Sequence, residues 1–289
     1  TKRKMNLCYR TYRLRAMCVL EMFASFLCTK GGEQAKPMLL VRSGMGTPFW
    51  VSPLECQKLA VGTSSFECCE TNHTILKCRR SLSRLILDRL IEIRVRSLFS
   101  SNNVAVARLS FCFRNYWCRG LFDESSKRSW RSLDEFKSDL RWNLSKDGVW
   151  IDRDGFSLLN YAVISGCIRV VQETLVEIEK NSDRKTRVSH MQVRAPSGGI
   201  PELGISGRST TLMASMAVSG PEIVSLLLDH GADPSETDTI GFDAFMIAST
   251  LGRIENVKYW LKRFPEWDVK RKNKIAGDCA LSLALFQGP

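Results

Sequence analysis

A frame of 33 to 36 residues recurs in the second half of the chain, and it limits the possible fold more than any other feature of the sequence. Successive copies begin 33 residues apart at Arg208 and Gly241, and the next begins 36 residues later at Gly277. An earlier copy begins at Gly155, 53 residues before Arg208, which corresponds to one 33-residue period and a 20-residue insertion. Fixed periods of about 20–50 residues are typical of repeat proteins, in which each unit buries its apolar side against the next.

Each copy of the frame predicts two short helices joined by a tight turn. A Ser, Thr or Asp two residues into the frame is expected to accept backbone N–H bonds and to open the first helix. A closing Gly, or Ser219-Gly220-Pro221, permits the turn that reverses the chain. Apolar stripes within 222–228 and 256–261 then predict the second helix, and Gly231 suits a left-handed helix end.

One stretch of the frame is specific enough to suggest a family. Residues 223–234 read Ile-Val-Ser-Leu-Leu-Leu-Asp-His-Gly-Ala-Asp-Pro, which resembles the ankyrin repeat family, and the resemblance covers 147–289 of the 289 residues. It implies stacked helix–turn–helix units, projecting hairpins and a concave surface that binds other proteins. We therefore expect an all-α fold: an ankyrin-repeat helical solenoid of three repeats plus a truncated fourth, with an insertion at 181–206. A generic array of helical hairpins is the alternative.

The frame departs from the family pattern at the start of each first helix. The Thr-Pro pair typical of the family is absent, and so is the histidine that usually follows it. We expect these departures to weaken the hydrogen-bond network at the turns without removing the fold. The histidine positions hold Asn160, Met213, Met246 and Ser282, and the Thr-Pro positions hold Ser157-Leu158, Thr210-Thr211, Asp243-Ala244 and Cys279-Ala280.

The two ends of the predicted solenoid differ. Residues 123–146 are predicted to form a capping helix over the first repeat, because residues 132–135 (Ser-Leu-Asp-Glu) resemble a capping box and apolar residues follow at helical spacing. The fourth repeat stops after its first helix, which leaves Leu281, Leu285 and Phe286 without a neighbour on one side. Terminal repeats normally need a polar outer face, so we expect a fragment or a truncated gene model.

The tips of the predicted hairpins and the adjoining first helices supply the candidate binding residues. The tip at 236–240 is acidic and the tip at 270–274 is strongly basic, which favours a charge-selective edge, with solvated loops as the alternative. Exposed ion pairs are worth about 0–1 kcal/mol each, so affinity would come from apolar anchors beside the groove, for which core packing is the alternative use. The predicted protein-binding residues are Arg153, Asp154, Tyr161, Met213, Glu236, Asp238, Ile240, Phe242, Met246, Arg271 and Lys272.

Residues 1–122 differ in composition from the rest of the chain. They contain 20 Lys and Arg against 7 Asp and Glu, whereas 123–289 contain 22 against 23. Because no hydrophobic period is sustained through them, we expect a poorly structured basic region, with an amphipathic helix at 79–89 and a strand-like alternation at 91–95. A nucleic-acid-binding module is one alternative, because aromatic residues that could stack on bases lie among arginines. These residues are Phe111, Phe113, Tyr116 and Trp117, with Arg108, Arg114 and Arg119.

A zinc-stabilised module is a further alternative for this region. Cys68, His73 and Cys78 are spaced like the tail of a retroviral-type zinc knuckle, but Ser65 stands where the first Cys would be. Cys56 would supply a fourth ligand only through a long loop. A complete structural zinc site is worth about 10–16 kcal/mol, and a three-ligand site is weaker and open. We therefore expect no metal and no cofactor.

No catalytic pattern is evident in the sequence. It has no Gly-rich phosphate loop, no H-E-x-x-H and no G-x-S-x-G. The most apolar N-terminal stretch, 16–28, contains Glu21 and is shorter than the roughly 20 residues of a spanning helix, so we expect no membrane span. Irregular cysteine spacing predicts an intracellular protein without disulfides. The sequence thus favours a non-catalytic scaffold that binds another protein; the alternative is this scaffold fused to a basic nucleic-acid-binding module.

Overall fold

The computed structural model describes residues 15–28, 37–40, 49–66, 79–121, 129–142, 151–181 and 193–286. These residues are mostly helical, and the sheet among them has two strands, which confirms the all-α prediction in its general form. The chain divides into two compact units, Thr1–Arg128 and Ser129–Pro289. None of the helices in the described ranges is long and apolar enough to cross a bilayer.

The described residues of the N-terminal unit form four α-helices, two short 3-10 helices and a small antiparallel sheet. The elements are α1 (Ala16–Leu27), β1 (Met38–Leu40), β2 (Phe49–Val51), 3-10 helices at Pro53–Lys58 and Val61–Thr63, α2 (Arg79–Ser100), α3 (Val104–Cys112) and α4 (Arg114–Trp117). Helix α1 packs against α2 and against the two 3-10 helices, and α2 packs along α3.

An aromatic cluster forms the core of this unit. Phe23 and Phe26 of α1 are fully buried, and each meets the edge or face of Trp117, with ring centroids 6.3 and 5.6 Å away. Phe113 stacks on the same indole at 5.4 Å. Such pairs add about 0.5–1.5 kcal/mol each beyond the area they bury. The residues of 1–122 that the structure describes are therefore packed and mostly helical.

Helix α2 shows why the hydrophobic period of this region was missed. Arg79–Ser100 is one continuous helix, so the strand expected at 91–95 is instead its second half. Its buried face carries Leu87 and Ile91, but also Arg94, which is 4% exposed. The Arg94 guanidinium donates to Phe26 O at 3.2 Å and lies 4.9 Å from the centre of that ring. An arginine inside the apolar stripe breaks the sequence pattern although its environment accommodates it.

The backbone of the N-terminal unit crosses itself closely at two glycines. A Cβ added at Gly62 would lie 2.1 Å from the carbonyl carbon of Gly120, and Gly120 itself has a φ of +77°. Arg80 spans the crossing, because its guanidinium donates to Gly62 O (3.0 Å) and to Gly120 O (3.1 Å). The close approach of the two backbone segments thus depends on glycine at both positions, and the long Arg80 side chain supplies hydrogen bonds to both carbonyls.

The C-terminal unit consists of helical hairpins that contact one another in sequence order. Its described helices are α5 (Leu133–Asp139), α6 (Leu158–Ser165), α7 (Ile168–Asn181), α8 (Thr211–Val218), α9 (Pro221–Asp229), α10 (Ala244–Thr250), α11 (Ile254–Arg263) and α12 (Ala280–Phe286). The first helices of the hairpins contact one another in the series α6, α8, α10 and α12, and the second helices in the series α7, α9 and α11.

Side-chain caps begin the first helices at the positions that the frame predicts. Ser157, Thr210 and Asp243 each accept the backbone N–H of the residue three positions later, at 2.8–3.2 Å. At the first of these caps, Asn160 Oδ1 accepts the backbone N–H of Ser157 at 2.8 Å, and its Nδ2 donates to Thr211 Oγ1 at 2.6 Å. Asn160 therefore joins α6 to α8 at the position where the resemblance leads us to expect a histidine.

Helix α5 packs on α7, the second helix of the first hairpin. Ser132 caps α5 by accepting the N–H of Glu135 at 3.2 Å. Glu173 of α7 accepts the N–H of Leu133 at 2.6 Å, and Lys137 pairs with Glu177 at 2.7 Å. The contact with α5 thus gives Glu173, a polar residue of α7, a structural use.

The insertion divides into two parts. Residues 182–192 lie outside the described residues, whereas the backbone from Val193 onward is hydrogen-bonded. Ala195 N donates to Ser209 O at 2.8 Å, and Arg208 N donates to Ala195 O at 3.1 Å. These bonds close a loop, and Ile200 and Leu203 within it are buried. This part of the insertion therefore enlarges the second hairpin.

Candidate functional site

In three of the four hairpins that precede the first helices, one side-chain oxygen braces the turn. This oxygen lies at the base of the hairpin and accepts backbone N–H bonds from residues of the turn, which restricts the conformations of the tip. The bonds run to Asp152 Oδ1 from Asp154 (3.1 Å) and Phe156 (3.0 Å), to Asp238 Oδ1 from Ile240 (3.0 Å) and Phe242 (2.8 Å), and to Asn273 Oδ1 from Ile275 (3.1 Å), Ala276 (2.9 Å) and Gly277 (3.2 Å).

Backbone hydrogen bonds join three of these hairpins into a row. Thr239 N donates to Gly207 O at 2.9 Å, and Lys274 N donates to Ile240 O at 3.0 Å. Gly207 and Ile240 are equivalent, because each lies immediately before the first residue of a copy of the frame. The same carbonyl of each hairpin therefore receives the N–H of the next one, and the tips lie side by side.

Most charges of the third tip are used within the molecule. Glu236 forms an ion pair with Arg194. Asp238 is 3% exposed and serves the turn, so it does not face solvent. Arg271 reaches back from the fourth hairpin to Asp243 Oδ2 at 3.7 Å and to Ser235 O at 3.3 Å. Of the two carboxylates expected to form an acidic edge at 236–240, Glu236 is therefore ion-paired and Asp238 is buried in the turn.

Three of the apolar candidates belong to the core. Tyr161, Met213 and Met246 are each at most 1% exposed, so none of them can touch a partner of the folded protein. The Tyr161 hydroxyl donates to Asp152 Oδ2 at 2.6 Å and ties α6 to the first hairpin. Of the remaining apolar candidates, Ile240 and Phe242 are half-buried at the third hairpin.

The charged candidates that remain exposed lie at the first and last tips. Arg153 and Asp154 are exposed on the first hairpin, and Lys272 is exposed on the last. The last hairpin also exposes Ile275, 72% of whose surface is accessible. Sequence reasoning missed Ile275 because it concentrated on the charges; the signal was a single aliphatic residue inside a basic turn.

Asp243 is the most perturbed carboxylate of this surface. It is 1% exposed, and burial raises its pKa above the ordinary value of 3.8, although the Met246 N–H and the charge of Arg271 oppose the shift. Its Oδ2 has no hydrogen-bond partner among the described residues. The cap at the start of α10 therefore stabilises the helix while carrying the desolvation penalty of a buried charge.

We expect the stability of Asp243→Asn, relative to wild type, to rise with pH. A raised pKa in the folded state means that this group favours folding most below pH 3.8 and loses that contribution as pH increases through the folded value. Asn caps helices as well as Asp does but carries no charge. Urea unfolding of both proteins at pH 3.5, 5 and 7 measures the difference; a difference independent of pH would contradict the assignment. Asp243→Ala, which removes the cap as well as the charge, should be about 1 kcal/mol less stable than Asp243→Asn at every pH.

Three of the four aromatic residues expected to stack on bases are packed inside the N-terminal unit. Phe113, Tyr116 and Trp117 are buried in the aromatic cluster, whereas Phe111 is half-buried. Arg114 is paired with Asp88 through two bonds of 2.7 and 2.8 Å, and Arg119 lies 4.0 Å above the ring of Tyr116. Stacking of bases on Phe113, Tyr116 or Trp117 would therefore require this core to open.

Three of the described thiols of this unit, Cys56, Cys112 and Cys118, are buried. Burial raises the pKa of Cys118 to about 12, and it also raises the pKa of Cys56 and Cys112 well above their ordinary value. A neutral thiol is a poor nucleophile and metal ligand. No group of metal-ligating side chains occurs among the residues with described positions, while the candidate ligands at 68, 73 and 78 lie outside them.

Comparison with known proteins adds no family to this picture. No protein-family model matches the chain, and no curated protein matches it.

Proposed function

We propose that this protein is a non-catalytic scaffold built on ankyrin repeats, with three repeats and a truncated fourth, and that it binds another protein through its hairpin row. The observation that carries the proposal is the repeated bond between neighbouring hairpins, Thr239 N to Gly207 O and Lys274 N to Ile240 O. Because each unit places its hairpin in the same relation to the last, the units generate a continuous rigid edge. A pre-organised edge loses little conformational entropy on binding.

The exposed residues of the row fit recognition of a protein surface. Ile240, Phe242 and Ile275 supply apolar area at the third and fourth hairpins, while Lys272 supplies charge. In protein interfaces, affinity comes mainly from a few apolar anchors, whereas peripheral charges set the rate and choice of partner. The side chains at the row thus divide into the two roles that an interface needs.

Site-specific photo-crosslinking in cells tests this proposal. A photoreactive amino acid at Thr237 or Lys272, both on the hairpin row, should give discrete adducts with one or a few proteins. The matched control positions are Glu255 and Lys180, which are exposed on the second helices α11 and α7. We expect the control positions to give no such adducts. Equal adducts from all four positions, or protein adducts from the two control positions alone, would refute binding through the row.

A further inference from the structure

We propose that the fourth hairpin binds an acidic, extended segment of a partner protein. The surface consists of Lys270, Lys272, Lys274, Ile275 and the carbonyl of Ala276, and we refer to it as the lysine tip. This inference rests on the proposed scaffold function and assigns a chemical class of partner to one part of the hairpin row.

The charges of the lysine tip differ from those of the third hairpin. Residues 269–277 contain four cationic side chains and no acidic one. Arg271 is occupied by Asp243 and Ser235 of the preceding unit. The ammonium groups of the other three, Lys270, Lys272 and Lys274, make no ion pair or hydrogen bond with a described residue. Three exposed positive charges are therefore available to an anionic partner.

The tip also offers an apolar contact in a fixed position. Ile275 is 72% exposed, yet its own backbone N–H is bound to Asn273 Oδ1 at 3.1 Å. Asn273 is itself buried, and its N–H donates to Asp278 O at 2.9 Å, which closes the base of the hairpin. A single exposed aliphatic residue is ordinary on protein surfaces. Held rigidly among lysines, it becomes a defined contact for one apolar side chain.

A backbone acceptor completes the surface. Ala276 is the frame equivalent of Gly207 and Ile240, whose carbonyls each receive an N–H from the following hairpin. The Ala276 carbonyl has no such partner among the described residues, and the residue is exposed. An incoming extended peptide can donate one N–H there.

The combination fits a peptide better than a nucleic acid. A carbonyl acceptor suits the N–H of a peptide and repels a phosphate oxygen, and Ile275 gives aliphatic rather than stacking contact. Single-stranded nucleic acids are usually bound by aromatic side chains that stack on bases, and residues 269–277 contain none. The charges of Lys270, Lys272 and Lys274 then select glutamate and aspartate side chains of the peptide.

The test is fluorescence anisotropy of the full chain with a labelled ten-residue peptide of alternating Glu and Val. The variant K270E/K272E/K274E should bind at least about tenfold more weakly. The matched control K180E/K258E/K262E makes the same change in net charge on second helices and should stay within about threefold of wild type, since distant exposed charges are screened. K270Q/K272Q/K274Q, which removes charge without reversing it, should weaken binding in the same direction as the reversal variant.

Two further probes examine the backbone and apolar contacts. An N-methylated version of the Glu–Val peptide lacks alternate N–H donors and should bind several-fold more weakly. Ile275→Ser should also weaken binding while leaving the circular dichroism spectrum unchanged. Because neither change alters a charge, each should weaken binding by the same factor at low and at high salt.

Several results would overturn the proposal that the lysine tip binds an acidic peptide segment. Equal weakening by the tip and control triple variants would show non-specific attraction, and tighter binding of a ten-nucleotide single-stranded DNA through the same lysines would assign a nucleic acid instead. Absence of binding of the acidic peptide would also reject the inference. Adducts at Thr237 report on the hairpin row independently, so the scaffold proposal can survive the failure of the lysine tip.

Discussion

Gly62→Ala should lower the stability of the N-terminal unit by about 3 kcal/mol, at the upper end for inserting one methyl group into a packed site. The added Cβ would lie 2.1 Å from Gly120 C and 2.2 Å from Leu121 N. Both contacts are backbone atoms, so no side chain can rotate away to relieve them. The main chain must separate instead, which also pulls Gly62 O and Gly120 O away from Arg80.

Hydrogen exchange of the amides in α2 and α3 measures this effect locally, because exchange reports the opening free energy of each region. Gly198→Ala is the matched control: nothing lies within 4 Å of its added Cβ, and its φ is not positive. We expect the control to exchange like wild type. Unchanged protection of α2 in Gly62→Ala would mean that the two backbone segments do not cross as described.

Trp260→Ala should destabilise the C-terminal unit by about 3–5 kcal/mol, the usual range for truncating a large buried aromatic side chain. Trp260 is fully buried on α11. Its ring centroid lies 4.9 Å from that of Phe264 and 5.1 Å from that of Trp267. These two rings begin the segment that leads to the fourth hairpin, so the cavity should also reduce binding at the lysine tip.

Thermal and urea unfolding of the full chain measure the loss. Trp260→Phe should lose much less, because it keeps most of the apolar volume and the indole N–H has no hydrogen-bond partner among the described residues. Trp50→Ala is the surface control, since 68% of Trp50 is exposed. If Trp260→Ala and Trp50→Ala were equally stable, Trp260 would not be a core residue.

Local chemistry explains how much of the C-terminal unit could be predicted. Ser157, Thr210 and Asp243 cap helices by bonds to residues three positions away, so their role is visible in a short window of sequence. Gly166, with a φ of +68°, ends α6 for an equally local reason. The frame therefore predicted where the hairpin helices begin, turn and end.

The candidate site was predicted less well, because exposure depends on neighbours distant in sequence. Met213 and Met246 occupy positions that the frame places near a groove, but the adjoining first helices cover them. Glu236 and Lys272 are both charged tip residues in sequence. Only the position of Arg194, 42 residues away in the chain, shows that Glu236 is ion-paired.

The sequence by itself determined the period, the caps and the turns of residues 151–286, since these follow from bonds between residues near in the chain. The tertiary structure decided which charges stay exposed, and which face of α2 is buried around Arg94. It also decided that residues 79–121 pack, because their core joins side chains from α1, α2 and α4 that share no short-range period. Burial is a property of three-dimensional neighbours, and sequence reports neighbours only where a repeat or a helical period fixes them.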